Sequence, residues 1–467
     1  MKEADIAKGI SHDDSWKAHI GRTVLLGLPL IGAQLAQMAL NVTNTLFLGR
    51  LGPAELAAAV LGWQLFYVVW MLGSGFGFAL MPLVASAVGA RDREGVRRFV
   101  GMGLCLCFGY ALLMTIPLWN ARRIFLALGQ EIHIATLAEQ YVRALQWSLF
   151  PQLAVIALRS FLSAMHRPGI VLFAIVMAGV LNAALNSVLI TGGLGFPALG
   201  MAGAGLSTFV AMTCAAFFLV GYIHWNPALR DHEIFRRFFK LDLIAVKTVF
   251  KLGWPIGTMI VAEVALFSAS SIMMGWVGAM ELAAHGIAVQ LSGLAFMIPV
   301  GLSAAVTVRV ALASGRGDRR AVIRAAATGI FIGVLIACIC AILFLSIPRT
   351  LIGFYLKADS ASAAAVIPYA VSFLTVAAIF QIVDTLQALC SGALRGLKET
   401  RIPMAMAIFS YWGVGVPAAY WLTFRAGLGG PGIWWGLAIG LALSSMLLLA
   451  RLIWRLRRYR ALGTAER

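Results

Sequence analysis

Apolar runs of 20 or more residues recur along almost the whole chain, and this pattern limits the possible folds more than any other feature. A helix needs about 20 mainly apolar residues to cross the ~30 Å hydrocarbon core of a bilayer. We count twelve such runs, far more than a soluble core requires. Only 12% of the residues are charged, whereas an average soluble domain carries roughly 25%. The sequence therefore predicts an all-α membrane protein and excludes a soluble enzyme, a disordered chain and a disulfide scaffold.

The twelve predicted spanning helices cover residues 23–48, 55–88, 99–119, 138–163, 169–191, 199–224, 248–275, 281–312, 323–347, 364–394, 402–424 and 431–455. Residues 1–22 are polar and mixed in charge, and the apolar run after them lacks a small-residue cleavage site. We therefore predict a cytoplasmic segment followed by the first spanning helix, not a cleavable signal.

The Lys and Arg residues predict the orientation of these helices. With the N-terminus in the cytoplasm, 30 of the 37 basic residues fall on cytoplasmic segments and seven on the opposite side. Cytoplasmic loops of membrane proteins are enriched in Lys and Arg. Both termini are thus predicted in the cytoplasm, beneath a bacterial-type inner membrane. This distribution also explains the net charge of +18 without a nucleic-acid partner.

The two halves of the chain repeat one another. Residues 26–29 recur as 252–255, residues 49–58 recur as 275–284, and residues 92–98 recur as 318–324, all at an offset of 226. These matches include charged positions and contain no gaps. Each half holds six helices, so both halves have the same orientation and are related by an axis along the membrane normal.

The predicted fold is therefore two pseudo-symmetric six-helix bundles. We divide the chain into a cytoplasmic segment 1–22, an N-lobe 23–224, a cytoplasmic linker 225–247, a C-lobe 248–455 and a basic cytoplasmic tail 456–467. Two bundles with a cleft between them suit alternating access. We expect a monomer in the lipid bilayer.

Two acidic residues lie deep within apolar runs, Glu263 in the seventh helix and Asp384 in the tenth, whereas the other 17 of the 19 lie in termini, loops or helix ends. An ionised carboxylate facing lipid costs roughly 2.5–3.5 kcal/mol or more, so such residues normally face a polar cavity. Glu263 is 12 residues from Lys251, and Asp384 is 11 residues from Arg395. At 1.5 Å per residue, both lie about 16–18 Å from the predicted cytoplasmic helix ends.

Two carboxylates at one level can share a cation or a proton. We therefore predict that Glu263 and Asp384 form a cation-coupling site, and that both ligate the metal if Na⁺ is the coupling ion. The alternative is a structural carboxylate that a buried base or backbone donors hold in place. We expect no Lys or Arg near that depth in this half, which favours the coupling site.

The N-terminal half has amides at the matching positions. Gln37 corresponds to Glu263 at the offset of 226, and Gln152 corresponds to Asp384 at an offset of about 232. This difference between the halves predicts one ion site, in the C-lobe, and not two.

Asn182 and Asn186 share a face of the fifth helix, and Asn44 lies deep in the first. With Gln37 they predict a neutral pocket for a cation or substrate. The alternative is interhelical hydrogen bonding, worth about 0.6 kcal/mol per bond on average. His285 lies close to a helix end and is either a hydrogen-bonded interfacial histidine or a proton relay.

Two motifs resemble a known family. Residues 42–52 (VTNTLFLGRLG) look like the first-helix signature of multidrug and toxic compound extrusion (MATE) transporters, and residues 391–403 (SGALRGLKETRIP) look like their tenth-helix motif. The resemblance covers essentially the whole chain. It implies twelve helices in two lobes, and efflux of organic, often cationic, compounds in exchange for Na⁺ or H⁺.

Within this family the chain is most similar to the NorM-like branch. The resemblance implies that Glu263 and Asp384 match the acids of that branch's cation site, and that Asn182 and Asn186 match its fifth-helix motif.

The chain departs from the family at two positions. The usual first-helix Asp is Asn44, and an amide cannot exchange a proton near neutral pH, which puts more weight on the C-lobe pair. The usual tenth-helix tyrosine is Phe380, a candidate for the cation or substrate pocket that lacks the oxygen to ligate Na⁺.

We thus predict a secondary active multidrug efflux antiporter for a small organic substrate, with Na⁺ or H⁺ as coupling ion and no other cofactor. The alternative is a flippase for a lipid-linked or other amphipathic metabolite. A flippase cavity that holds pyrophosphate should be strongly cationic, whereas the deep charges here are acidic. A membrane-embedded enzyme needs clustered metal ligands or a nucleophile with its base, and the sequence contains neither.

Overall fold

The computed structural model describes residues 15–192, 195, 197–235, 242–355 and 361–462 of the 467-residue chain. Within these residues, twelve helices are long and apolar enough to cross a membrane, which confirms the predicted count. The described ranges contain no β-strand. The protein is therefore a multi-pass, all-α membrane protein.

The twelve helices are α1 (Trp16–Gly49), α2 (Pro53–Gly89), α3 (Arg93–Trp119), α4 (Ile132–Ala164), α5 (Pro168–Leu189), α6 (Gly200–Trp225), α7 (Leu243–Val277), α8 (Ala279–Gly315), α9 (Arg319–Ser346), α10 (Ala361–Gly396), α11 (Arg401–Arg425) and α12 (Gly430–Leu462). Most extend beyond the apolar runs that predicted them, because the helical backbone continues into polar residues at the ends.

Repeated sequence positions form repeated helix caps. The Asp92 carboxylate accepts a hydrogen bond from the amide of Gly95 at 2.8 Å at the start of α3. The Asp318 carboxylate accepts one from the amide of Ala321 at 3.0 Å at the start of α9. A capping carboxylate satisfies an N–H group that has no partner in the first helical turn. The offset of 226 thus relates two residues that both cap a helix N-terminus.

Asp242, just before α7, lies in a third such cap. Its carboxylate accepts hydrogen bonds from the amides of Ala245 and Ile244, each at 3.1 Å. It also pairs with Arg98 Nε at 2.5 Å. The Ala245 amide and the Arg98 side chain hold the pKa of Asp242 below its usual value.

Contacts divide the chain into two packed units. The first unit contains Gly32–Gly257, and the second contains Asp14–Ile31 with Thr258–Arg467. The boundaries therefore fall inside α1 and α7, shortly after the prolines at positions 29 and 255, where a helix loses a backbone hydrogen bond and commonly kinks. The predicted lobes 23–224 and 248–455 differ from these units, because each lobe contains α1 or α7 undivided. The lobes stay a prediction.

In each unit, a glycine at the same repeat position lies at a close helix crossing. In the first unit, a Cβ on Gly75 of α2 would overlap the backbone of Gly253 and Gly257 in α7. In the second unit, a Cβ on Gly301 of α8 would lie 2.6 Å from the Cα of Ile31 in α1. Gly75 and Gly301 are again 226 residues apart, so the duplication extends to backbone packing.

Candidate cation site in the second unit

Glu263 on α7 and Asp384 on α10 lie between two contacts that join these helices. Met259 Sδ lies 3.8 Å from Ser391 Oγ, and the rings of Phe267 and Phe380 are 5.9 Å apart between centroids. These contacts show that the two helices run antiparallel. On α7, Glu263 lies one turn from each contact residue. On α10, Asp384 lies between the two contact residues.

One oxygen of the acid pair is unsatisfied. Asp384 is 2% exposed, and its Oδ1 is buried with no hydrogen-bond partner. Glu263 is half-buried. A buried carboxylate oxygen without a donor is costly unless it takes up a proton or a cation.

Tyr411 of α11 contacts α10 about one turn from Asp384, and none of the sequence predictions names it. The residue is fully buried, and its hydroxyl accepts a hydrogen bond from Gln387 Nε2 at 2.7 Å. One signal was present in the sequence, because Tyr411 is ten residues from Arg401, close to the depth of the two acids.

Local backbone geometry supports the position of Tyr411. The segment Phe409–Gly415 of α11 is π-helical. Such turns are rare and occur frequently at functional sites, because the wider turn changes the direction of the side chains that follow.

Phe380 packs as a core residue. It is 1% exposed, and its ring meets those of Phe267 and Trp434 edge to face, with centroids 5.9 and 5.8 Å apart. It lies one turn before Asp384 and contributes apolar surface next to the carboxylate, not a ligand atom.

His285 is buried beneath Trp434, with ring centroids 5.6 Å apart. Its Nε2 lies 3.4 Å from Ser270 Oγ and 3.2 Å from Ser271 Oγ. The ring is therefore hydrogen-bonded on one side. Its Nδ1 is buried without a partner.

Arg395 bears on the expectation that no basic residue lies near the carboxylates. It lies at the end of α10, it is half-buried, and its Nη2 donates a hydrogen bond to Ser303 Oγ at 2.9 Å. A long side chain reaches about a helical turn beyond its own Cα, so counting residues along α10 does not fix the depth of this charge. The expectation stays a prediction.

The candidate amides of the first unit form a closed network. Asn186 Nδ2 donates to Asn44 Oδ1 at 2.7 Å and to Asn182 Oδ1 at 3.1 Å. Thr208 Oγ1 of α6 accepts from Asn44 at 3.4 Å and from Asn182 at 3.3 Å. Ser207 donates to Asn186 Oδ1. The three asparagines therefore meet, and they satisfy one another.

Gln37 lies outside this network. It is half-buried on α1. Gln152, the repeat partner of Asp384, donates to Ser148 Oγ at 2.8 Å.

The chemistry available in the second unit is that of hard oxygen ligands. Across the described ranges, no group of three or more His, Cys, Asp or Glu side chains is placed to hold a metal ion. Two carboxylates and a phenol oxygen suit a proton or a hard monovalent cation, not a transition metal.

Twelve apolar helices, an internal duplication and two acids within spanning helices define the class of the protein as a membrane transporter. The MatE family model matches residues 29–188 and again 255–421. The chain therefore belongs to the MatE family of transporters and is not an enzyme. The two matches begin 226 residues apart, at the offset of the internal repeat.

Similar proteins support the family over nearly the full length. The chain is 44% identical to the "Probable multidrug resistance protein NorM" of Rhizobium meliloti (strain 1021), over 97% of each chain. It is 42% identical to the protein of the same name from Agrobacterium fabrum, over 97% of this chain and 98% of that one. The MATE resemblance seen in the motifs is thus confirmed.

Solved structures support the fold. A MATE crystal structure in complex with MaL6 matches with a TM-score of 0.86 at 22% identity, over 95% of this chain and 97% of that chain. An outward-facing multidrug resistance MATE family transporter of the MOP superfamily matches with a TM-score of 0.84 at 22% identity, over 94% and 96% of the two chains.

Proposed function

We propose that this transporter exports organic, often cationic, compounds by antiport with Na⁺ or H⁺, and that Glu263 and Asp384 bind the coupling cation. The observation that carries the proposal is the pair of acids on two helices that touch on either side of both residues, with no hydrogen-bond partner for Asp384 Oδ1. The relatives named as multidrug resistance proteins support efflux of drugs as the activity.

The pair couples ion entry to helix packing. Without a cation, two carboxylates in a low-dielectric interior repel one another and hold α7 and α10 in one arrangement. A cation from outside neutralises them, the helices repack, and the affinity for the organic substrate falls. One charge that moves down 100 mV supplies about 2.3 kcal/mol, enough for a roughly fiftyfold concentration gradient.

The first unit supports coupling in the second. Its polar network contains only amides and hydroxyls, which do not titrate near neutral pH. A proton or Na⁺ therefore has a charged site only at the Glu263–Asp384 pair among the candidate residues. A flippase is not favoured, because the deep candidate site is acidic. We further propose an inner-membrane location with both termini in the cytoplasm, and a monomer as the working unit.

Glu263→Gln and Asp384→Asn test the proposal. The full-length protein is reconstituted in vesicles, and ethidium efflux is followed under a Na⁺ gradient alone and under a pH gradient alone. We expect either amide to abolish ion-driven efflux, because a neutral side chain exchanges no cation. Glu131→Gln, an exposed acid at the start of α4, is the control and should behave as the parent. Undiminished coupled efflux in both variants would reject the mechanism.

A further inference from the structure

Arg395 lies at a position where an arginine normally extends toward water. It is next to the last residue of α10, at the predicted cytoplasmic end. Long basic side chains near helix ends usually place their charge at the interface. Here the side chain is half-buried, its Nη2 donates to Ser303 Oγ at 2.9 Å, and its Nε is buried with no hydrogen-bond partner.

The nearest acid in the sequence does not pair with Arg395. Glu399 is four residues further on, but its carboxylate contacts Arg451 Nε at 2.5 Å and Arg455 Nε at 2.6 Å. Among the described residues, no carboxylate forms an ion pair with Arg395. Its positive charge is therefore held in the second unit without a counter-ion in contact.

General helix geometry leads us to expect the guanidinium on the side of Glu263. Side chains lean toward the N-terminus of their own helix. On α10 this direction carries Arg395 back toward the level of Ser391, and on α7 it carries Glu263 toward Met259. Because Met259 and Ser391 are in contact at 3.8 Å, the two charged groups approach the same level from opposite sides.

We propose that Arg395 is a tethered cation that competes with the coupling ion for Glu263 and so sets the affinity of the site. This inference rests on the proposed function. A guanidinium keeps its charge over the accessible pH range. It therefore opposes a second cation at the carboxylates by electrostatic repulsion, without itself leaving.

Ser303 holds the guanidinium away from Glu263. Its Oγ accepts from Arg395 and donates to the carbonyl oxygen of Ala388 at 2.6 Å, which fixes the hydroxyl. Loss of this hydroxyl frees the guanidinium to settle on Glu263. Substitutions of Arg395 and of Ser303 should therefore change the ion affinity in opposite directions.

The test is the half-saturating concentration of the coupling ion, measured with Na⁺ alone and with H⁺ alone on reconstituted full-length protein. For Arg395→Gln we expect a decrease of about tenfold, because the competing charge is gone. Arg395→Lys keeps the charge and should stay within about twofold of the parent. Ser303→Ala should raise the value several-fold. Arg401→Gln, an exposed arginine at the start of α11, is the control.

A structural role makes a different prediction. If Arg395 only stabilises the α8–α10 contact, Arg395→Gln and Ser303→Ala lower the maximal rate or the folded amount together and leave half-saturation unchanged. That result overturns the proposal. Should Arg395→Gln transport poorly, ethidium binding to the purified variant at graded Na⁺ and pH gives the same half-saturation value. A parent that responds to neither ion overturns the proposed function as well, whereas a responsive parent with an unshifted variant overturns this inference alone.

Discussion

A phenol oxygen from a third helix lies one turn from Asp384. The tenth-helix tyrosine that the family resemblance implies is Phe380 here, and this ring packs in the apolar core. Tyr411 of α11 is buried, and its hydroxyl bonds Gln387, three residues from Asp384 on α10. We therefore expect Tyr411 to supply the oxygen that position 380 lacks.

Tyr411→Phe removes only this hydroxyl. We expect the half-saturating Na⁺ concentration for efflux to rise about tenfold, because a hard cation loses one oxygen ligand. Efflux driven by a pH gradient should keep its pH dependence, since a proton needs only the carboxylates. Tyr420→Phe, an exposed tyrosine of the same helix, should match the parent. An equal loss with both ions would point to damaged packing and contradict a ligand role.

At the level of elements, α8 and α10 pack with their backbones in close contact. Thr307 Oγ1 donates to the carbonyl oxygen of Gly392 at 2.8 Å, and Ser303 Oγ donates to that of Ala388 at 2.6 Å. A Cβ on Gly392 would lie 2.7 Å from the Ser303 carbonyl oxygen. This contact holds the end of α10 that carries Arg395.

Gly392→Ala should therefore destabilise the protein by about 1–3 kcal/mol, because overpacking forces the two helices apart. The unfolding temperature of the detergent-solubilised protein measures this effect. Gly293→Ala is the matched control, since a Cβ at that position of α8 meets nothing within 4 Å. It should be neutral or stabilising by up to about 1 kcal/mol, as Ala is the better helix former. Equal stability of the two variants would contradict the close crossing.

At the level of the whole molecule, the two halves share one architecture and differ in chemistry. The repeat conserves caps and crossing glycines, as at Asp92 and Asp318 or Gly75 and Gly301. The first unit contains a satisfied amide network, whereas the second contains Asp384 with an unsatisfied oxygen. We therefore expect ion coupling to depend on the second unit.

Asn186→Ala tests this division. Asn186 bonds Asn44, Asn182 and Ser207, so its loss leaves buried polar groups unpaired and should cost about 1–3 kcal/mol of stability. The half-saturating ion concentration of the remaining efflux should equal that of the parent. The unfolding temperature and the ion titration are measured on the same preparation. A shifted titration would show that the first unit takes part in coupling.

Much of the architecture was predictable from the sequence. The number of spanning helices, the repeat and the family follow from apolar runs, the offset of 226 and two motifs. Counting residues to the nearest basic helix end predicts one depth for Glu263 and Asp384; this stays a prediction, and α7 and α10 touch on either side of both residues. The inward turn of Arg395 and the place of Tyr411 did not, because both depend on contacts between helices.

The sequence by itself determined what each segment becomes. In lipid every backbone polar group needs an internal partner, so an apolar run of spanning length has one solution, the helix. Only the tertiary structure decided which side chains meet. Met259 and Ser391 are 132 residues apart and touch because α7 and α10 cross at one particular rotation and height. The boundaries between the two packed units fall inside α1 and α7, and they likewise depend on where each part of these helices packs. Local pattern contains no information on such rotations, since many arrangements bury the same apolar surface.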